Sequence, residues 1–105
     1  MCGIAGIIYK KDQKVKKQGL ETVGKSIAHR GPDASGIFTF ENIGFVHRRL
    51  SILDLSDAGN QPYISPCGRF VLVFNGEIFN YQDFTAELSS KGYQFKSNSD
   101  TEVLL

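Results

Sequence analysis

No stretch of this sequence approaches the roughly 18 consecutive apolar residues that a membrane helix needs. Residues 1–8 carry neither a basic n-region nor a cleavage site, so neither a membrane span nor a secretory leader is expected. An excess of charge of one sign is also missing. Twelve Lys and Arg against eleven Asp and Glu leave a formal net charge of +1, which gives no electrostatic footprint for nucleic acid or a membrane surface. Cysteine is scarce: only Cys2 and Cys67 occur, with no CxxC spacing. That suits free thiols in a reducing cytoplasm, with one disulfide between the two as the open alternative. Internal repeats and low-complexity tracts are absent as well.

What is present fits one small globular domain over residues 1–105. A chain of this length can bury roughly two thirds of its unfolded surface. Its 41% apolar and 22% charged residues are ordinary for a folded domain and argue against disorder.

Hydrophobic patterning outlines the elements. Residues 4–9 read as a nearly all-apolar strand covered on both faces. The basic run 10–17 lacks interleaved aromatics and reads as a solvated loop. Leu20, Val23, Ile27 and Ala28 fall at helical spacing, which predicts a helix over residues 19–29, stopped by Gly31-Pro32. Strands are expected at 36–40 and 44–50, joined by a hairpin connection at Glu41-Asn42-Ile43. A polar loop over 56–66 precedes the strongest strand signal, residues 70–74. Asn80 then reads as an N-cap, opening a helix that presents Phe84 and Leu88 and stops at Gly92. Residues 93–96 suggest a short strand, and 100–105 the opening turns of another helix. That last helix lacks a stop signal, so Leu105 is expected to be a point of truncation.

Several side chains carry chemistry. Cys2 follows the initiator at the mouth of the first strand. With Met1 trimmed, it holds a nucleophilic thiol and a free α-amine on one residue, groups that titrate near neutrality. Taken alone, such a cysteine is read as a small hydrophobe. Asn75-Gly76 ends the apolar run, where a carboxamide and a glycine N–H are donors suited to an oxyanion. The same pair is a hairpin signal, but the residues after it begin a helix instead of a return strand. Arg49 closes a strand, and a guanidinium grips a carboxylate through two parallel bonds. Asp100 reads first as a helix-start residue. As a set, Arg49 and Asp100 would hold the two ends of an α-amino acid. His29 and His47 lack metal-site spacing and take helix-end and strand roles. Loop and turn roles suffice for Asp33 and Asp54, and Cys67 is an incidental loop cysteine.

Six blocks occur in one order: Met1-Cys2-Gly3-Ile4-Ala5-Gly6, His29-Arg30-Gly31-Pro32-Asp33, Arg49-Leu50-Ser51-Ile52, Gly59-Asn60-Gln61-Pro62, Asn75-Gly76-Glu77-Ile78-Phe79-Asn80 and Ser99-Asp100-Thr101-Glu102. Together they resemble the glutaminase domain of glutamine-hydrolysing asparagine synthetases, a class II glutamine amidotransferase domain. The resemblance runs from the first residue to the last.

It implies an α+β fold of the N-terminal-nucleophile hydrolase type, a four-layer αββα sandwich with antiparallel sheets, here in its N-terminal portion only. It implies that Cys2 attacks the glutamine side-chain amide with its own α-amine as base. Asn75 and the Gly76 N–H would form the oxyanion hole, and Arg49 would bind the α-carboxylate. Asp100, helped by Glu77, would hold the α-ammonium, while backbone groups of Leu50, Ile52 and Leu53 line the pocket. Glutamine is the implied substrate and no metal or other cofactor is implied for this step. ATP and Mg²⁺ are implied only for a synthetase domain, absent here, that would carry the ammonia acceptor. Related enzymes with this front end amidate sugars or other carboxylates. Phe79 stands where the family usually has tyrosine.

The rival expectation is a non-catalytic fragment or interaction module that keeps the motifs; both readings hold if the full-length parent is active, and the 105-residue chain by itself is expected to be inactive. A retained Met1 would turn the Cys2 amine into an amide and silence it. Unpaired strand edges in a shortened sheet would favour self-association.

Overall fold

Val15, Leu20 and Val46 form the buried apolar centre, and the first half of the chain is arranged to cover them. The computed structural model describes residues 1–52 and 54–105. Strand β1 (Gly3–Ile8) leads into helix α1 (Lys17–Ser26), followed by strands β2 (Ala34–Phe40) and β3 (Ile43–Arg49). β3 lies between β1 and β2 and is antiparallel to both. Ala5 and Ile37 both register against Val46, so their side chains share one face of the pleat. α1 packs on that face, burying Leu20 completely, with Val23 and Ile27 beside it. Each such fully buried side chain contributes roughly 1.5–3 kcal/mol of transfer free energy.

The opposite face of this sheet is covered at its Gly36–His47 end, where Gln61 packs against it, but its apolar Ile8–Phe40 end is open. Ile4, Ile8 and Phe40 are 44%, 73% and 65% exposed. The expectation that both faces of the first strand are covered is therefore corrected. α1 shields only the face that carries Ala5 and Ile7, and β1 is an edge strand.

The expected helix over 19–29 also shifts. It begins at Lys17, because the Val15 N–H is anchored to the Glu41 carbonyl at 2.8 Å and the chain turns directly after it. It ends at Ser26, after which the Arg30 and Gly31 amides bond three residues back and draw Ala28–Arg30 into a 3₁₀ turn. The β2–β3 hairpin forms as expected, though with Phe40 paired to Ile43 across a two-residue turn.

Beyond β3 the chain is looser. A 3₁₀ turn (Asp57–Gly59) leads to β4 (Tyr63–Ile64), which pairs antiparallel with β5 (Val71–Leu72). The strand expected over 70–74 thus shrinks to two residues, and its partner lies in what was expected to be loop. The physical reason is visible at Phe74, whose N–H bonds to the Gln61 side chain in place of a strand neighbour. Helix α2 (Tyr81–Ser90) follows. Asn80 occupies its N-cap position without a side-chain bond, and the half-buried stripe is Tyr81, Thr85 and Leu88, leaving Phe84 44% exposed. Residues 93–96 form no strand, since the Lys96 N–H is taken by the Glu102 carboxylate. A 3₁₀ helix (Asp100–Leu104) closes the described chain. The architecture is a small mixed α/β domain with antiparallel sheets. Among the described residues no helix is long and apolar enough to cross a membrane.

Candidate active site

Cys2 stands one residue ahead of β1, whose first pair is Gly3 with Arg48. That register brings its thiol to the point where β3 ends. The Leu50 N–H donates to Cys2 Sγ at 3.3 Å, and the Leu50 carbonyl accepts from the same sulfur at 3.7 Å. On the other side, Arg30 Nε donates to the Cys2 carbonyl at 3.2 Å. The half-buried nucleophile candidate is held both through its sulfur and through its backbone.

Arg49 is the last residue of β3, and its buried guanidinium turns into the loop that follows. Nη1 donates to the Ser56 carbonyl at 2.6 Å and to Asn60 Oδ1 at 2.8 Å, while Nη2 donates to the Asp54 carbonyl. Gly59 lies flat against the guanidinium, where a Cβ would overlap it. Among the described residues these bonds use three of the five donors. Nε–H and one Nη2–H are left, enough for one carboxylate.

Asp54 ties this loop to the other end of the site. Its Oδ1 accepts from the Ser56 N–H at 2.7 Å and the Ser56 hydroxyl at 2.6 Å, and its Oδ2 from the Asn98 N–H at 3.0 Å. The Ser56 hydroxyl, with the Asn98 and Ser56 amides behind it, holds the Asp54 carboxyl below its usual pKa. The turn role expected for Asp54 is met, with a long-range anchor added. Asp33 likewise serves a connection, accepting from the Ser51 N–H at 2.7 Å.

Asp100 is buried at the head of its 3₁₀ helix, which Ser99 caps by accepting from the Thr101 N–H at 3.1 Å. Asp100 Oδ2 accepts from the Ile78 N–H at 2.8 Å, and Oδ1 from the Thr101 hydroxyl at 3.3 Å. The Ile78 bond brings this carboxylate to the turn that carries Asn75, Gly76 and Glu77.

The result is convergence. Cys2, Arg49, Leu50, Ile52, Asn75, Gly76, Glu77 and Asp100 all line one cleft of about 230 Å³. Leu53, also expected there, lies outside the described residues. Cys67 and His29 are exposed and are not among the lining residues. The Ser65 hydroxyl lowers the Cys67 thiol pKa, and both cysteines are free.

Sequence reasoning gave no site role to the lining residues His47, Gly59, Gln61, Phe74, Ser99 and Thr101. His47 was within reach, because residues two apart on a strand share a face and His47 precedes Arg49 by two. The residue is 1% exposed. Burial pushes the imidazole from 6.5 down to about 4; the Phe74 backbone opposes the shift and the Arg49 charge adds to it. Although Phe74 is that near, neither ring nitrogen has a hydrogen bond of acceptable geometry among the described residues. His47 is therefore neutral at pH 7.

A thiol at the head of an edge strand thus shares one cleft with a guanidinium, a buried carboxylate and an Asn-Gly turn. The chain belongs to the glutamine amidotransferase domain family, whose model matches residues 1–105. It is 42% identical over 108 residues to asparagine synthetase [glutamine-hydrolyzing] 1 of Bacillus subtilis (strain 168), covering 100% of this chain and 17% of that protein. Against asparagine synthetase B [glutamine-hydrolyzing] of Escherichia coli (strain K12) it is 43% identical over 107 residues, covering 100% of this chain and 19% of the relative. Against amidase chry2 of Gibberella zeae it is 39% identical over 117 residues, covering 100% and 17%. The chain thus spans less than a fifth of the length of these relatives.

Proposed function

We propose that this chain carries a glutaminase site, which hydrolyses the glutamine side-chain amide to glutamate and ammonia for an ATP-dependent amide synthesis, asparagine formation first among the candidates. The observation that carries the reading is the convergence of Cys2, Arg49, Asn75, Gly76 and Asp100 on one cleft.

In the proposed reaction, removal of Met1 frees the Cys2 α-amine, which takes the thiol proton as Sγ attacks the amide carbon. Met1 itself lines the cleft, so its removal would also open the approach to the sulfur. The Asn75 carboxamide and the Gly76 N–H take the developing oxyanion. Collapse of the tetrahedral intermediate breaks the C–N bond, and ammonia departs with a proton from the α-ammonium. Water then attacks the thioester and glutamate leaves. The two free Arg49 donors bind the α-carboxylate, and Asp100 with Glu77 holds the α-ammonium. Leu50, Ile52 and Leu53 contribute backbone. The groups named in this half-reaction belong to the chain, apart from glutamine and the attacking water; ATP and Mg²⁺ would attach to the amide-forming step.

The finer fold assignment belongs to the same proposal. In a four-layer αββα sandwich a second sheet packs on the first, and the open apolar end at Ile8 and Phe40 suits such a cover.

The test uses the full-length protein with Met1 removal verified by mass spectrometry. Cys2→Ala is expected to abolish ammonia release from glutamine while ammonia-dependent amide formation continues. Equal loss of both activities in a folded variant would refute the role of Cys2. A Met1-free wild-type protein that releases no ammonia from glutamine would favour the non-catalytic reading.

A further inference from the structure

We infer that Gln61 is a positioning residue that sets the oxyanion-hole turn and the Asp100 carboxylate against each other. The inference rests on the glutaminase reading and adds to it a residue that the mechanism above does not use.

Gln61 is 7% exposed and lies within the cleft wall. Its Oε1 accepts from the Phe74 N–H at 2.6 Å, and Phe74 is the residue before Asn75. Its Nε2 donates to Thr101 Oγ1 at 3.4 Å, and the Thr101 hydroxyl donates onward to Asp100 Oδ1 at 3.3 Å. Donors and acceptors therefore run in one direction, from the Phe74 amide through Gln61 and Thr101 to Asp100. The backbone of Gln61 is fixed as well. Gly36 of β2 lies so close that a Cβ there would overlap the Gln61 carbonyl. Asn60, its neighbour, accepts from Arg49.

The need for this device follows from the short sheet. The β4–β5 ladder ends at Leu72, so among the described residues no strand neighbour pairs with residues 73–76. Oxyanion donors work only when held within about 0.5 Å of the productive geometry. The Gln61 side chain supplies that restraint on one arm, and on the other it orients the carboxylate that meets the substrate ammonium. The two arms have separable consequences. Misplacing the oxyanion donors costs transition-state stabilisation and lowers kcat, while misplacing Asp100 weakens substrate binding and raises KM.

The test is steady-state glutamine hydrolysis by the full-length protein, read as kcat and KM separately, with Tm recorded for each variant. Gln61→Met, close in volume but without hydrogen bonds, is expected to lower kcat roughly tenfold and to raise KM by a similar factor. Thr101→Val, which cuts only the Asp100 arm, is expected to raise KM roughly three- to tenfold with kcat within about twofold of wild type. Gln61→Glu keeps the acceptor for Phe74 and loses the donor to Thr101, so it is expected to behave like Thr101→Val; it decides the matter if Gln61→Met does not fold. A Gln61→Met protein with both constants within about twofold of wild type overturns the inference. So does a fall of kcat in Thr101→Val and Gln61→Glu that matches their rise in KM. A wild-type protein that releases no ammonia from glutamine overturns instead the reading on which the inference rests.

Discussion

The amide of Leu50 donates to the sulfur of Cys2 across 48 residues of sequence, so the start of β1 and the exit of β3 form one unit. Arg30 completes that unit by donating to the Cys2 carbonyl. An exposed bond of this kind contributes about 1 kcal/mol or less. Arg30→Met is expected to lower kcat for glutamine hydrolysis roughly two- to fivefold with KM unchanged. A change confined to KM would assign Arg30 to the substrate and not to the nucleophile.

Asn75 offers a sharper test. If its carboxamide is one of two oxyanion donors, Asn75→Ala lowers kcat by roughly 10²–10³. Steady-state kinetics with KM unchanged would fit that role, whereas a raised KM at constant kcat would make Asn75 a residue of the ground-state complex.

The cage around Arg49 yields a prediction away from the reacting atoms. Gly59→Ala places a methyl group where the guanidinium lies. The guanidinium must move, and the two donors proposed for the substrate carboxylate move with it. KM for glutamine is expected to rise roughly tenfold or more, with the direct replacement Arg49→Leu as the upper bound. Calorimetric titration of glutamine into an inactive Cys2→Ala background reads the same effect without turnover. Unchanged affinity in Gly59→Ala would show that the guanidinium is not what the substrate meets.

His47 predicts a pH dependence of stability. Its pKa is about 4 in the fold against an ordinary 6.5. Between those values the unfolded chain binds the extra proton, so stability rises with pH across this window. The neutral, buried form is fully favourable above about pH 6.5, and its advantage fades as pH falls toward 4. Thermal melting from pH 7 to 4 is therefore expected to show a falling Tm, and His47→Leu to flatten part of that slope. An identical slope in the variant would place the transition on other groups.

Much of the first half was legible because its signals are local. The apolar run of β1, the hairpin of β2 with β3, and the helical spacing of Leu20, Val23 and Ile27 each appear in the structure within a few residues of expectation. The run from Phe70 to Phe74 misled because apolar character says nothing about who accepts from an amide. Phe74 gives its N–H to a glutamine side chain 13 residues earlier, and a ladder cannot continue past it. Residues 93–96 misled for a similar reason, with the Lys96 amide taken by Glu102. At the site, eight of the positions suggested by motif order line the cleft, whereas His47 and Gln61 line it without having carried a motif-based site role. The cage around Arg49 was not legible, because two of its three acceptors are backbone carbonyls of Asp54 and Ser56, and a carbonyl has no letter in a sequence.

The position of Met1 on the cleft wall beside Cys2 bears on how the protein is made in the laboratory. A purification handle fused ahead of Cys2 keeps its nitrogen an amide and lays foreign polypeptide across the cleft. On the proposed mechanism such a preparation would look inert. Handles belong at the other end of the chain, or behind a protease site whose cut leaves cysteine as the first residue. The expression host matters equally, since overproduction that outruns its methionine aminopeptidase would yield a mixture whose specific activity reports processing and not catalysis.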